Sequence, residues 1–211
     1  MKTKQQRLNA YIDRNSTPQS DICKRIVQAT KRHPALDAEM LSHHAVGLFL
    51  QTQARNCTYA LEIGTYSGLG AAYIAQGLPD HGSVLTIERE NGPALAIAKK
   101  YWKWSAIATR IQLHEGDAVQ HLNNLPGDVF SLAYIDGWTS EYDSYLEAAF
   151  PVMRRGGMLV FDDMLDGDVL RPRSKNEREL VRFSRKLRSD RRFSIVQVLP
   201  IGEGITVAIK K

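Results

Sequence analysis

One short segment limits the fold of this chain more than any other. Residues 58–63 form a mostly apolar run, and a glycine-rich turn at residues 64–68 follows it directly. An alanine-rich stretch with helical spacing begins after the turn. This order is typical of a buried strand that leads into a helix at the carboxyl edge of a parallel sheet, where open α/β folds bind their ligands.

The glycine-rich turn is predicted to bind a ligand, but it does not have the sequence of a phosphate-binding loop. Gly64 and Gly68 lack the spacing of a dinucleotide-binding turn, and no lysine of a phosphate-binding loop follows them. Glu62 stands just before the turn, where its charge would repel a pyrophosphate. A Rossmann dehydrogenase is therefore disfavoured. An ordinary glycine-rich turn without a ligand remains the alternative.

Two further predicted strands end in acids. Glu88 follows the glycines by about twenty residues, a placement that suits the two hydroxyls of a ribose. Asp117 follows Gly116 after the next strand and is well placed to reach the exocyclic amine of an adenine. Acids at three successive strand ends, without a basic phosphate cradle, favour a nucleoside that carries no phosphate. S-adenosylmethionine is the best candidate.

A second group of acids suggests a metal. Asp136 ends one apolar strand, and the pair Asp162 and Asp163 ends another. Because clustered carboxylates repel each other, a hard divalent cation with oxygen ligands would stabilise them at a common sheet edge. Acids at strand ends are also common helix caps, and that interpretation stays open.

Strands and helices alternate from residue 56 onwards. Strands are predicted near 58–63, 83–88, 110–115, 129–135 and 157–161, and helices near 68–77, 91–104, 117–123, 141–150 and 174–189. The alternation predicts a parallel sheet with helices on both faces. Residues 193–199 and 205–209 predict a closing antiparallel hairpin. Without repeats or linkers, we expect one domain over residues 1–211, with a helical cap (1–55) on an α/β core (56–211).

Composition narrows the class of protein. With 211 residues, 43% of them hydrophobic, the chain is long enough for one α/β domain with a sizeable core. No apolar run approaches the ~20 residues that span a bilayer, so no membrane partner is expected. Cys23 and Cys57 lack metal-site or redox spacing, which predicts two reduced core thiols in a cytoplasmic protein.

Basic residues concentrate between Arg171 and Arg192. Leu180, Phe183 and Leu187 have helical spacing within this segment, which predicts an amphipathic helix with a solvated polar face. RNA binding is the alternative, although no aromatic residues are interleaved with the cations to stack bases.

Together these motifs resemble the metal-dependent, S-adenosylmethionine-dependent O-methyltransferases, the family of catechol and caffeoyl-coenzyme A O-methyltransferases. The resemblance covers nearly the whole chain from about residue 38. It implies a Rossmann-like class I methyltransferase fold, an α/β fold with a mostly parallel seven-stranded sheet, a C-terminal antiparallel hairpin and N-terminal helices. It depends on residues 61–68, Glu88, residues 116–118, residues 135–136, residues 155–157 with Asp162 and Asp163, and residues 199–204.

The resemblance also implies an activity. It is the transfer of a methyl group to a hydroxyl of a small, catechol-like aromatic acceptor, assisted by a divalent metal, with Mg²⁺ first and Ca²⁺ or Mn²⁺ as alternatives. The implied metal ligands are Asp136, Asp162 and Asp163. The implied cofactor-binding residues are Met40, Ser42, Glu62, Gly64, Tyr66, Ser67, Gly68, Glu88, Arg89, Gly116, Asp117, Ala118, Asp136 and Trp138. In the catechol-type variant a tryptophan near the substrate corresponds to Trp138, for which core packing is the alternative.

Three positions depart from the family pattern. Thr139 stands where a lysine usually helps to deprotonate the acceptor, and Asp163 replaces an asparagine. Gly70 replaces a serine that often helps to hold the cofactor carboxylate. Without the lysine, His43 or the adjacent His44 is the candidate proton acceptor, with a surface histidine as the alternative. The residues assigned to catalysis are therefore Asp136, His43 and Thr139.

Other functions stay open at this point. The basic segment raises methylation of a hydroxyuridine in tRNA as a weaker alternative. The departures at Thr139 and Gly70 raise a nucleoside-binding protein without transferase activity. The helical first 55 residues could form the surface of a homodimer. The sequence does not identify the acceptor.

Overall fold

The computed structural model describes residues 4–211, which form a seven-stranded sheet between two layers of helices. The strands are β1 (Tyr59–Ile63), β2 (Ser83–Glu88), β3 (Ile111–Glu115), β4 (Phe130–Ile135), β5 (Met153–Phe161), β6 (Phe193–Leu199) and β7 (Ile205–Lys210). Their order is β3-β2-β1-β4-β5-β7-β6. β1 to β5 run parallel, and β7 pairs antiparallel with both β5 and β6. The predicted class I fold with its closing hairpin is confirmed.

Eight α-helices accompany the strands in the described chain. They are α1 (Lys4–Arg14), α2 (Asp21–Arg32), α3 (His44–Ala54), α4 (Leu69–Gly77), α5 (Pro93–Lys103), α6 (Ala118–Leu122), α7 (Tyr142–Val152) and α8 (Lys175–Ser189). Three of them precede the first strand, as expected from the helical spacing of residues 1–55. The predicted helices and strands of the core agree with the observed bounds to within about two residues, apart from β5.

β5 begins four residues earlier than its predicted start at residue 157. Its pairing with β4 jumps from Phe130–Met153 to Leu132–Met158. The intervening residues 154–156 are exposed and form an irregularity in the strand. The apolar pattern therefore marks only the second, buried half of this strand.

Each face of the sheet carries its own hydrophobic core. Because successive side chains of a strand point to opposite faces, β4 contributes Leu132 and Tyr134 to one core and Ala133 and Ile135 to the other. The first core includes residues of α2, α3, α4 and α5, and the second includes residues of α6, α7 and α8. Every residue of β4 is buried, which makes it a central strand.

The strand order reverses between β1 and β4, so the connections that follow these strands diverge to opposite sides of the sheet. A crevice at such a point is where open α/β sheets bind ligands. Elsewhere, Cys23 and Cys57 are free and buried, as predicted. None of the helices in the described chain has the length and apolar character to cross a membrane.

Candidate active site

A cleft of about 610 Å³ lies at the carboxyl ends of β1 to β4. It includes most of the residues that the sequence assigned to the cofactor. Those that line it are Met40, Ser42, Glu62, Gly64, Tyr66, Ser67, Glu88, Arg89, Gly116, Asp117, Ala118, Asp136 and Trp138. Residues from the segment before β1 and from four strand ends therefore meet in one cavity.

The turn after β1 is shaped by close backbone contacts. Gly64 has a φ of 93°, and a Cβ at this position would lie 2.2 Å from the carbonyl oxygen of Asp136. Only glycine allows the end of β1 to pass so close to the end of β4. Gly68, which the sequence also assigned to the cofactor, is not among the residues that line the cleft. Its carbonyl accepts a hydrogen bond from Nε1 of Trp102 at 3.1 Å, which gives Gly68 a structural role beneath the turn.

Glu88 fixes the same turn from β2. Its Oε2 accepts hydrogen bonds from the backbone N–H groups of Thr65 at 3.0 Å and Tyr66 at 2.8 Å. Its Oε1 accepts from the N–H of Glu90 at 2.8 Å. Oε1 accepts only one of these three bonds, so it keeps a lone pair that can accept a hydrogen bond from a ligand in the cleft.

Two more acids border the cleft. Asp117 caps α6, because its Oδ1 accepts from the N–H of Gln120 at 2.8 Å. Glu62 is only 1% exposed and accepts from the Thr86 hydroxyl at 2.5 Å. Burial raises the pKa of Glu62 to about 8, against the opposing effect of the hydrogen bond from Thr86.

A buried phenol joins the acids of β4 and β5. The Tyr134 hydroxyl lies between Oδ2 of Asp136, at 3.0 Å, and Oδ2 of Asp162, both within hydrogen-bond distance. Ser42 lies beside them, with its hydroxyl 3.1 Å from the phenol and 3.3 Å from Oδ2 of Asp136. The predicted meeting of Asp136 and Asp162 at one sheet edge is therefore observed, with an unpredicted tyrosine between them.

These carboxyls hold their protons more tightly than usual. Desolvation, followed by the charges of Asp162 and Asp163, raises the pKa of Asp136 well above its ordinary range. Desolvation also raises the pKa of Asp162, and it combines with the charge of Asp162 to raise the pKa of Asp163 to about 7. The mutual repulsion expected from the sequence is present.

The same carboxylates do not fit a shared dication. Asp162 is 4% exposed and does not line the cleft, whereas Asp136 and Asp163 do. Oδ2 of Asp162 faces the Tyr134 hydroxyl, and Oδ1 accepts from the N–H of Asp163 at 2.9 Å. Across residues 4–211, no three or more His, Cys, Asp or Glu side chains are arranged to hold a metal ion. The predicted metal site is not shown.

Asp163 has a backbone conformation that asparagine and aspartate both tolerate. Its φ of 53° places it in the left-handed region, which Asn and Asp tolerate better than most residues. An aspartate can therefore replace an asparagine here without changing the backbone after β5.

The other end of the cleft is lined by large apolar side chains. Trp138 is 58% exposed and Met40 is 62% exposed, so Trp138 is not a core residue. The Thr139 hydroxyl donates to Oδ1 of Asn176 at 2.5 Å, and both residues line the cleft. Sequence reasoning missed Asn176, because its segment was interpreted only through its basic charge. It also missed Tyr145, which belongs to α7 and reaches the same wall.

Neither histidine proposed as a proton acceptor lines the cleft. His43 precedes α3, and its Nε2 lies 3.6 Å from Oε1 of Glu203. The ring of His44 lies 2.6 Å from the Tyr73 hydroxyl and 2.8 Å from the carbonyl oxygen of Thr17. His44 therefore connects the N-terminal segment to α4, and Asp136 is the predicted catalytic residue best placed to accept a proton.

Comparisons with known proteins agree with this fold. The model of a family described as O-methyltransferase matches residues 13–211. Caffeoyl-CoA O-methyltransferase of Mesembryanthemum crystallinum is 31% identical over 169 residues, which cover 72% of this chain and 65% of that protein. Catechol O-methyltransferase domain-containing protein 1 of Mus musculus is 29% identical over 188 residues, 86% of this chain and 71% of that protein. The crystal structure of an SAH-bound methyltransferase from Podospora anserina has a TM-score of 0.85 and 26% identity, covering 97% of this chain and 94% of the other.

Proposed function

This chain belongs to the O-methyltransferase family, and from that premise we propose that it methylates a hydroxyl of a small aromatic acceptor held beside Trp138. It is an S-adenosylmethionine-dependent O-methyltransferase. The observation that carries the proposal is the continuity of the cleft. A single cavity runs from the acids at the ends of β1, β2 and β3 to the exposed indole of Trp138.

We place the nucleoside at the acidic end. Asp117 and Ala118 would border the adenine, and Oε1 of Glu88 would accept a hydrogen bond from a ribose hydroxyl. Arg89 also lines this end, but its guanidinium pairs with Glu141 at 3.1 Å. Because that cation is already compensated, the cleft suits an adenosyl group better than a dinucleotide.

We place the acceptor at the apolar end. The indole of Trp138 and the thioether of Met40 offer a surface for a planar ring. Asn176 receives the Thr139 hydrogen bond on Oδ1, and its Nδ2 has no hydrogen-bond partner within the described chain. That amide can donate to an oxygen of the acceptor. The names of the caffeoyl-CoA and catechol relatives support a hydroxylated aromatic compound.

The residues of this chain then orient the acceptor and take its proton. When bound, S-adenosylmethionine supplies a methyl group already activated by its positive sulfur. Oδ1 of Asp136 has no hydrogen-bond partner among residues 4–211, so the ionised form of this carboxyl can accept the hydroxyl proton. Trp138 and Asn176 would fix the ring and one of its oxygens, and orientation of this kind contributes much of the rate in such transfers. The predicted dication is left out, because Oδ2 of Asp162 faces the Tyr134 hydroxyl and Oδ1 already accepts from the N–H of Asp163.

The acceptor site is tested with two tryptophan variants. Trp138→Ala should lower kcat/KM for a hydroxylated aromatic acceptor by about tenfold, the scale of one aromatic contact, with binding of S-adenosylmethionine unchanged. Isothermal titration measures cofactor binding, and transfer of a labelled methyl group measures turnover on catechols, monophenols and hydroxycinnamoyl thioesters.

Trp104→Ala is the matched control, because Trp104 is 84% exposed and does not line the cleft. Its kinetics should equal those of the wild type. Equal losses in the two variants would refute the acceptor site. Cofactor binding without transfer to any hydroxylated aromatic would favour the nucleoside-binding alternative.

The tRNA alternative has less support from the charges around α8. Arg182 and Lys186 both pair with Asp143 of α7, and Lys186 also pairs with Glu147 at 3.1 Å. These cations help to attach α8 to α7, as a solvated helix face would. Binding of tRNA that falls steeply with salt would revive this alternative.

A further inference from the structure

The acid pair at the ends of β4 and β5 is already bridged by a protein group. One phenolic oxygen, that of Tyr134, lies within hydrogen-bond distance of both Asp136 and Asp162. Asp162 uses its remaining oxygen on the N–H of Asp163. In the described chain, both oxygens of Asp162 therefore point towards protein donors.

A dication bound at the ends of β4 and β5 would need the space that the Tyr134 hydroxyl occupies. Mg²⁺ requires oxygen ligands at about 2.1 Å in a near-octahedral arrangement, so a cation shared by Asp136 and Asp162 would lie between them. The Tyr134 hydroxyl occupies this position.

The phenol cannot easily move away. Tyr134 is 0% exposed, and its ring is packed so closely against α4 that a Cβ on Gly70 would lie 3.2 Å from Cε1. β4, which carries the tyrosine, is hydrogen-bonded to β1 on one side and β5 on the other. Displacement of the hydroxyl would require a change in the packed core.

We infer that the Tyr134 hydroxyl takes the place of a divalent cation, holding Asp136 and Asp162 together and excluding a metal from the site. The acceptor hydroxyl is then oriented without metal ligation, by Asp136 and Asn176. Only the part of this inference that concerns orientation of the acceptor in methyl transfer rests on the proposed function. Binding of a metal can be measured whether or not an acceptor is known.

The test measures Mn²⁺ binding by the purified full chain, by isothermal titration and by electron paramagnetic resonance of free Mn²⁺. The wild type should show no site that depends on Asp136. Tyr134→Phe removes the hydroxyl and keeps the ring, and it should gain one stoichiometric Mn²⁺ site that the wild type lacks. Adding Asp136→Asn to that variant should abolish the new site.

Tyr142→Phe is the matched control. The Tyr142 hydroxyl also contacts Asp162, but it donates to the backbone carbonyl at 2.9 Å and does not bridge two carboxylates. This variant should gain no Mn²⁺ site. Turnover of the wild type should be the same in excess chelator and in Mg²⁺.

Two results would overturn the inference. One is a stoichiometric Mn²⁺ site in the wild type that Asp136→Asn removes, a result that does not depend on folding of the tyrosine variant. The other is a folded Tyr134→Phe protein with no gain in Mn²⁺ binding. Absence of methyl transfer would count against the proposed function and leave the metal measurement valid.

Discussion

At the scale of single residues, the buried Glu62 side chain leaves little space for a side chain at position 70. A Cβ on Gly70 would lie 2.2 Å from Oε1 of Glu62, which is itself held by Thr86. A serine at position 70 would therefore require the Glu62 side chain to shift. In this structure Gly70 leaves room for the buried Glu62 carboxyl.

The buried carboxyl of Glu62 should make stability depend on pH. Since its pKa is raised to about 8 from 4.5, the native chain keeps a proton that the unfolded chain has lost between these values. The unfolding free energy of the ligand-free protein should therefore fall as pH rises from about 4.5 to 8. Glu62→Gln has no such proton and should show a weaker decline, measured by urea unfolding at several pH values.

The raised pKa values of Asp136, Asp162 and Asp163 also make the unfolding free energy fall as pH rises. The test is therefore the difference in slope between the wild type and Glu62→Gln. Glu39→Gln, at an exposed glutamate, is the control and should retain the pH dependence of the wild type. Identical slopes for wild type and Glu62→Gln would show that Glu62 is not proton-bound in the native chain.

At the scale of elements, the start of α8 organises the loop that leads to it. Ser174 and Glu177 form a capping box, and the Glu177 carboxylate accepts from the N–H groups of Arg173, Ser174 and Asp168. These bonds attach the loop after β5 to the helix whose first turn carries Asn176. The acceptor side of the cleft depends on this attachment.

Glu177→Gln should therefore destabilise the protein at neutral pH. The backbone N–H bonds lower the pKa of Glu177 to about 2, so its contribution is present above about 4.5 and is lost as pH falls towards 2. The difference in Tm between variant and wild type should be largest near pH 7 and shrink in acid. Calorimetry across this pH range measures it.

Glu179→Gln controls for a charge change on the same helix, since Glu179 pairs only with Lys175, at 3.7 Å, among the ion pairs of the described chain. It should change Tm less than Glu177→Gln does. Hydrogen exchange should show faster opening of residues 166–174 in Glu177→Gln alone, and unchanged exchange there would contradict the role of the capping box.

The elements of the core could be predicted because their signals are local. The glycine turn after β1 and the acids at strand ends lie within short, periodic segments. The role of Tyr134 could not be predicted, because its segment is apolar and its partners Ser42 and Asp162 are distant in sequence. The role of Asn176 could not be predicted either, since its contact with Thr139 spans 37 positions.

At the scale of the whole molecule, the cleft joins parts of the chain that are far apart in sequence. The Tyr66 hydroxyl donates to the carbonyl of Asp37 at 2.8 Å, and the Ser42 hydroxyl donates to Asp136 at 3.3 Å. A ligand in the cleft would contact both the N-terminal segment and the sheet. Its binding should stabilise the native protein as a unit.

S-adenosylmethionine should therefore raise the melting temperature. At a hundred times its Kd, a ligand that binds only the native state adds about 2.7 kcal/mol. For a chain of this size that corresponds to a rise in Tm of roughly 5–10 °C, measured by differential scanning fluorimetry. NAD⁺ is the control and should give no shift, because the turn after β1 lacks phosphate-binding spacing. Equal shifts with both ligands would contradict the inference that this turn does not hold a pyrophosphate.

The position of β7 has a consequence for the growing chain on the ribosome. β7 follows β6 in the order of translation, yet it lies between β5 and β6 in the sheet. β5 therefore has an open edge until residues 205–210 leave the exit tunnel, and β6 has no strand to join before then. Such edges invite pairing with other chains, so a nascent polypeptide that stalls before β7 would be a natural client for chaperones.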